Sequence, residues 1–161
     1  MDLFEKAHQN DIQAIKNLLE SKIININQQN EFGNTLLHIA SFRGYLQLAK
    51  LLLEHGANPN VANNVGYLPI HDAAYYGYLP IVKLLIAHKS SLNQQDSFGN
   101  TPLHYAVLKN HQDVADFLLK NGADPNIKNK ENKTPLDIAI DYNYQNLINL
   151  IQFYQKNPPL K

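Results

Sequence analysis

The chain of 161 residues contains no cysteine, which excludes disulfide bonds and zinc sites with thiolate ligands. It also has no excess of charge: 14 basic and 14 acidic residues cancel, so the broad basic footprint of a nucleic-acid-binding protein is missing. No apolar run approaches the length of a secretory signal or a membrane-spanning helix. We therefore expect a soluble, cytoplasmic monomer that binds neither nucleic acid nor membrane.

Sequence motifs of catalysis are also missing. The chain has no phosphate-binding loop, no HExxH zinc motif and no nucleophile elbow. The acids Asp113 and Asp116 are three residues apart on a predicted helix, but acids on the face opposite the leucines are usually solvated. A cluster of lysines at 128–133 is offset by Glu131, which favours a solvated loop. The sequence therefore predicts no enzymatic activity, no catalytic residue, no cofactor and no metal.

What the chain does contain is a repeat. The segment FGNTLLHIA at 32–40 returns as FGNTPLHYA at 98–106, and the turn glycine recurs every 33 residues at Gly33, Gly66 and Gly99. A fixed period of this length is typical of stacked supersecondary units that bury one another's apolar faces. The period predicts five units, at about 1–27, 28–60, 61–93, 94–126 and 127–154, followed by a C-terminal tail at 155–161.

Each unit is predicted to hold two helices. Thr101 before Pro102 supplies a side-chain cap and a first-turn proline, while Gly44 and Gly77 end the first helix in their units. The second helix is predicted from about Leu46 to a residue before Gly56. Its predicted counterparts are Ile81 to Ala87 and Val114 to Lys120.

Stacking requires an apolar column that runs from unit to unit. The spacing predicts that one continuous buried ladder consists of Leu51, Leu84, Phe117 and Leu150. The segments between units are rich in Asn, Asp, Pro and Lys, and these turn-forming residues predict projecting fingers.

The segments GNTPLHYA and VADFLLKNGADPN resemble the ankyrin repeat, and the resemblance covers about residues 2–154. It implies an all-α ankyrin-repeat solenoid of about five stacked helix-turn-helix units with β-hairpin or loop fingers. Some positions depart from the pattern: Leu68 replaces the capping threonine, and Lys89, Ser90 and Ser91 replace the usual GAN or GAD. We expect lower local stability near residues 66–92, and a polar outer helix with Gln152 and Gln155 that closes the stack.

Three histidines follow the same 33-residue period, at His38, His71 and His104. Packed helices lie about 8–10 Å apart, whereas zinc ligands lie about 2 Å from their ion, so these side chains cannot share a metal. We interpret them as structural, with a neutral imidazole bonded to loop backbone. The other histidines are predicted to be exposed, at positions 8, 55, 88 and 111.

The resemblance also implies which residues face a protein partner, because the variable positions of the family line its concave groove and finger tips. In the fingers these positions hold Phe32, Asn34, Val65, Tyr67, Phe98 and Asn100. At the ends of the first helices they hold Phe42, Arg43, Tyr75, Tyr76, Leu108, Lys109, Asp141 and Tyr142. Tyr75 and Tyr76 are expected at the centre of the interface. For Phe32, Val65 and Phe98, bracing of the next finger remains an equal alternative.

The resemblance implies a non-enzymatic protein–protein interaction module whose partner the residues do not identify. Two roles stay open. One is a bacterial effector or adaptor, which in the effector case would be delivered into a host cell. The other is an ankyrin-only inhibitor or regulatory subunit of a kinase or transcription factor.

Overall fold

The computed structural model describes residues 3–21 and 24–159, and these ranges contain ten helices and no strand. In chain order the helices are α1 Leu3–His8, α2 Ile12–Glu20, α3 Leu36–Arg43, α4 Leu46–Glu54, α5 Pro69–Tyr76, α6 Leu79–Ala87, α7 Pro102–Leu108, α8 Gln112–Lys120, α9 Pro135–Asp141 and α10 Gln145–Lys156. Residues 1–2 and 22–23 of the predicted first unit, and residues 160–161 of the predicted tail, lie outside the described residues.

The helices form two layers. Each odd-numbered helix packs on the even-numbered helix that follows it, and each also packs on its counterpart in the next unit. The odd-numbered helices form the inner layer and the even-numbered helices the outer layer. This arrangement confirms the predicted all-α stack, and α10 continues two residues beyond the predicted end of the last unit.

The residues predicted to start and end the inner helices do so in the structure. The Thr35 side chain accepts a hydrogen bond from the His38 backbone N–H, and Pro102 is the first residue of α7. Gly44 and Gly77 cap α3 and α5 with φ angles of 75° and 74°. A Cβ atom on Gly77 would lie 2.6 Å from the ring of His111, so both the left-handed backbone and the close packing require glycine here.

Two outer helices begin earlier than predicted. α6 starts at Leu79 and α8 at Gln112, each two residues before the predicted Ile81 and Val114. Their first turns contain Pro80 or polar residues, which belong to a helix N-terminus but interrupt the apolar period on which the prediction relied.

The predicted buried ladder is wrong by one helix position. Leu51, Leu84, Phe117 and Leu150 are only half-buried, at the edge of the core. The fully buried columns are Leu48, Ile81, Val114 and Leu147, together with Leu52, Leu85, Leu118 and Ile151. These columns lie four residues apart on each helix and share its inward line, whereas Leu51 lies about 100° around the axis from Leu52. A fully buried leucine or isoleucine contributes about 1.5–3 kcal/mol relative to an exposed one.

The fingers are closed loops rather than strand ladders. Within one finger the Asn63 N–H donates to the Tyr67 carbonyl, and Gly66 turns the chain with a φ of 79°. Between fingers, the Asn64 N–H donates to the Phe32 carbonyl at 3.1 Å, and the same bond recurs from Ser97 and from Lys130 in the later fingers. Each finger is thus joined to its neighbour by backbone, which fixes the spacing of the groove surface.

The periodic histidines tie each inner helix to the next finger. His38 Nδ1 accepts the Thr35 N–H at 3.1 Å, and its Nε2 lies 3.0 Å from the Tyr67 carbonyl. Since a carbonyl only accepts, Nε2 carries the proton and donates it. The same pattern recurs at His71 and His104. Burial lowers the pKa of all three and brings that of His38 to about 4, so the rings are neutral, as their structural interpretation requires.

One histidine prediction is wrong. His111 is half-buried rather than exposed, because its Nε2 donates to the Tyr75 carbonyl at 3.0 Å and its ring packs beneath Gly77. Tyr45, Tyr78 and Tyr144 occupy the same repeat position. The Tyr78 ring packs against Gly44 at the end of α3, and the His111 ring packs against Gly77 at the end of α5. This repeat position thus holds a large planar side chain that covers the end of the preceding inner helix.

The third unit contains a local weakness at residues 89–90. Lys89 adopts a φ of 64°, in the left-handed region where Gly56 and Gly122 stand in the neighbouring units. Ser90 is only 7% exposed, and its hydroxyl has no hydrogen-bond partner within the described part of the chain. The neighbouring units have alanine at this position. Both residues therefore act against local stability.

We predict that Ser90→Ala raises the free energy of unfolding by about 1 kcal/mol, because it removes a buried hydroxyl without a partner. Lys89→Gly should raise it by about 1 kcal/mol through relief of the left-handed backbone. Urea unfolding followed by circular dichroism measures both effects. The exposed Ser91→Ala is the matched control and should change stability by only a few tenths of a kcal/mol. A loss of stability in Ser90→Ala would mean that the hydroxyl is satisfied in solution.

Candidate functional site

The predicted partner-facing residues divide into an exposed and an engaged group. The exposed residues are Phe32, Phe42, Arg43, Val65, Tyr76, Phe98, Lys109, Asp141 and Tyr142. The half-buried residues are Asn34, Tyr67, Tyr75, Asn100 and Leu108. A role in partner binding remains a prediction for all of them.

The finger residues Phe32, Val65 and Phe98 join neighbouring fingers through their backbone. Their carbonyl oxygens accept the hydrogen bonds from the next finger, while their side chains are exposed. Partner binding and bracing of the next finger by these side chains both remain predictions.

Aromatic rings meet at the ends of α3 and α5. We call Phe42, Tyr75 and Tyr76 the groove aromatic cluster: Phe42 and Tyr76 pack edge to face at 5.0 Å between ring centroids, and Tyr75 and Tyr76 at 4.9 Å. Tyr76 also stacks on Tyr78 at 5.9 Å, and the Lys109 ammonium lies 4.4 Å from the Tyr75 centroid. Such contacts hold large side chains in place before any partner arrives.

Several predicted residues stabilise the fingers instead. The Asn63 side-chain amide donates to the Asn34 side chain at 2.8 Å, and Asn129 repeats this bond to Asn100. The Tyr67 hydroxyl lies 2.8 Å from that of Tyr105. These bonds have a structural purpose, so the amides and the Tyr67 hydroxyl are less free to contact a partner than the sequence suggested.

A buried hydroxyl chain continues from that contact. The Tyr105 hydroxyl donates to Asp96 Oδ2 at 2.5 Å, and Asp96 Oδ1 accepts the backbone N–H groups of Phe98 and Asn100. Burial, followed by the bond to Asp96, raises the pKa of Tyr105 well above its ordinary value. These hydrogen bonds fix the shape of the third finger and of the groove wall beside Tyr75. The ring centroids of Tyr75 and Tyr105 are 5.8 Å apart.

At the C-terminal end of the groove, Asp141 pairs with Lys133 at 2.5 Å, and Tyr142 stacks on Tyr144 at 5.5 Å. Both members of the ion pair are exposed, so it contributes little to stability.

The acids Asp113 and Asp116 differ in their surroundings. Asp113 is exposed, as predicted, whereas the half-buried Asp116 accepts hydrogen bonds from the Lys120 ammonium and the Tyr154 hydroxyl. No group of three metal-ligating side chains occurs within residues 3–21 and 24–159. In the same ranges no helix has the length and apolar character needed to cross a bilayer.

One groove residue was missed by the sequence reasoning. Asp72 lies on α5 at the repeat position where the second, fourth and fifth units bury Ile39, Tyr105 and Ile138. It borders a pocket of about 280 Å³, which we call the Asp72 pocket. The pocket is lined by His8, Asn34, His38, Ile39, Phe42, Asn63, Val65, Tyr67 and Asp72. A comparison of the units column by column would have revealed an acid among apolar residues.

The Asp72 carboxylate has no hydrogen bond or ion pair with any described residue. Burial raises its pKa to about 7, because desolvation in the apolar pocket disfavours the charged form. An acid in this environment is a cost to the fold, since its carboxylate is partly desolvated and has no partner among the described residues.

We predict a pH-dependent stability difference between the wild type and Asp72→Asn. The raised pKa means that the folded state holds the proton more tightly than the unfolded chain, where aspartate titrates near about 4. Stability from Asp72 is therefore present below about pH 4 and is lost as the pH rises to about 7. The advantage of Asp72→Asn should grow over that window by more than about 1.4 kcal/mol, the equivalent of one pKa unit.

Urea unfolding at pH values between about 4 and about 8 measures this difference. The titratable neighbours His8, His38, Tyr67 and Tyr76 are kept in the variant, so their contributions cancel. Exposed Asp113→Asn is the control and should show no such trend. A constant difference across the range would show that Asp72 titrates normally.

The comparisons with known proteins agree with this architecture. The family model described as ankyrin repeats in three copies matches residues 3–96 and, in an overlapping placement, residues 70–158. Together the two matches span both layers, all the fingers and the groove.

Similarity to curated proteins is confined to short segments. The chain is 41% identical over 56 residues to the palmitoyltransferase akr1 of Schizosaccharomyces pombe, covering 35% of this chain and 9% of that protein. It is 35% identical over 54 residues to acyl-CoA-binding domain-containing protein 6 of Bos taurus, covering 34% of this chain and 19% of that protein. It is 40% identical over 57 residues to the putative ankyrin repeat protein FPV222 of Fowlpox virus, covering 35% of this chain and 8% of that protein.

The chain thus covers less than a fifth of the length of each of these relatives, and their similarity concerns repeat units. The matched model, the repeat period and the stacked helix pairs lead to one conclusion: the chain belongs to the ankyrin-repeat family.

Proposed function

We propose that this chain is a non-enzymatic module that holds a protein partner in its concave groove and against its finger tips. Ankyrin repeats indicate protein–protein interaction as the general role. The observation that supports the groove as the site is the exposure of Phe42 and Tyr76, which remain 43% and 40% exposed although they contact each other. Large aromatic side chains on a surface with no folding duty are the usual anchors of an interface.

The groove is suited to a preformed interaction. The cluster rings are supported by Tyr78, Tyr105 and Lys109, and the fingers are joined by backbone bonds. A partner that docks on this surface would order few side chains, which reduces the entropic cost of association.

A module of this kind could have one of two wider roles in the cell. As a cytoplasmic monomer, the chain would serve as an adaptor, or as an effector delivered by a bacterium into a host cell. The alternative is an inhibitor or regulatory subunit of a kinase or transcription factor. The enzymatic names among the relatives belong to proteins of which the chain covers only a small part, so they do not argue for an activity here.

We predict that Phe42→Ala combined with Tyr76→Ala weakens partner binding by about 2 kcal/mol or more, because both anchors of the cluster are removed. The melting temperature should change little, since both side chains are exposed. Affinity capture from lysates of the source organism and of any host cell, followed by mass spectrometry, measures the loss.

Phe153→Ala is the matched control, because this aromatic residue is even more exposed but lies on the outer helix α10. Its captured proteins should equal those of the wild type. If every wild-type partner is retained by the double variant, the groove is not the binding surface.

A further inference from the structure

The Asp72 pocket combines a charge with apolar and aromatic walls. Phe42 and Tyr67 contribute rings, Ile39 and Val65 contribute aliphatic surface, and Asp72 contributes a carboxylate. Its volume of about 280 Å³ falls just below the range of about 300–1,000 Å³ that small-molecule sites occupy. The pocket is thus of a size for one long side chain rather than for a cofactor.

No cation within residues 3–21 and 24–159 forms an ion pair with this acid. The nearby Arg43 guanidinium lies 5.7 Å from the Phe42 centroid, and neither it nor Lys109 lines the pocket. His38 lines it but is held neutral by burial and by its bonds to Thr35 and Tyr67. Among the lining residues, the exposed His8 is the remaining basic group, and it makes no ion pair with Asp72.

The acid is also unexplained by the fold. The equivalent positions of the second, fourth and fifth units are filled by buried apolar or tyrosine side chains, and in the first unit Lys6 at this position pairs with Asp11. The first turn of α5 offers Asp72 a favourable helix dipole, but exposed first-turn positions would offer the same benefit without desolvation. A position that disfavours a carboxylate in folding and yet holds one is suited to recognition.

We propose that the Asp72 pocket receives an arginine side chain of the bound partner, with its guanidinium paired to Asp72 and packed against Phe42 and Tyr67. This inference rests on the proposed function and specifies the chemistry of the partner at one point of the groove. Arginine fits better than lysine, because its planar guanidinium forms two parallel bonds to a carboxylate and loses less hydration on burial. Aromatic faces attract the same cation.

Binding of this kind would bring the missing positive charge to Asp72. A carboxylate whose pKa has been raised by burial returns to its ionised form when a cation is placed beside it. The paired arginine would therefore bind more tightly above about pH 7 than below about pH 6. Other titratable groups also face the carboxylate, namely His8, His38, Tyr67 and Tyr76. They are unchanged between the wild type and Asp72→Asn, so a comparison of the two proteins isolates the titration of Asp72.

A random dodecapeptide library displayed on phage, selected on the immobilised full chain, tests the proposal. Peptides that require the groove are recognised by their loss of binding to the Phe42→Ala, Tyr76→Ala double variant. We expect an arginine at one fixed position of these peptides. Replacement of that arginine by its neutral isostere citrulline should weaken binding at least about tenfold, and replacement by lysine should weaken it less.

On the protein side, Asp72→Asn should cause a similar loss of at least about tenfold, and Asp113→Asn, on the outer helix α8, should cause none. Thermal melting verifies that both variants fold. The citrulline peptide tests the same contact on unaltered protein, so a folding defect in the variant would not remove the test.

The outcomes separate the two proposals. Groove-dependent peptides without an arginine preference, or with equal affinity for the wild type and Asp72→Asn, would overturn the arginine pocket and leave the groove intact. Peptides that bind the double variant as well as the wild type would overturn the groove itself. Recovery of no groove-dependent peptide would count against both.

Discussion

The structure depends on the link between each inner helix and the finger that follows it. In α3, α5 and α7 a neutral imidazole joins them: Nδ1 accepts from the start of its own helix and Nε2 donates to the next finger, as in His38 and Tyr67. Because the ring is buried, both nitrogens must be satisfied, and the geometry that satisfies them fixes the distance between units. The apolar columns of the outer layer then pack at the same spacing. Helix caps, finger stack and core thus share one period.

That shared period explains how much of the fold the sequence could predict. Turn glycines, Thr-Pro helix starts and histidines recur as single residues at fixed intervals, so their positions are unambiguous. The rotation of the outer helices was harder to predict, because Leu51, Leu52 and Leu53 are all apolar and a run of leucines does not show which one points inward. The place of His111 was missed because its partner, the Tyr75 carbonyl, lies in the preceding unit.

The candidate site was predictable in outline only. Knowledge of the family marks positions that vary, but it does not separate side chains with a folding duty from free ones. Asn34 and Asn100 form hydrogen bonds to the next finger, whereas Phe42 and Tyr76 make ring contacts and stay exposed. Asp72 was overlooked for the opposite reason, since its position is a core position in the second, fourth and fifth units and only the contacts show its carboxylate to lack a partner among the described residues. Burial and bonding partners, rather than residue type, distinguish the functional surface.

The strained residue Lys89 and the unsatisfied Ser90 have a consequence for motion. In a linear array each tier is supported only by its neighbours, so an opening event starts where that support is weakest. Here two residues that weaken this support lie in the interior, where the third tier meets the fourth. We therefore expect an opening inside the array to start at this junction, and such an opening would change the width of the groove surface.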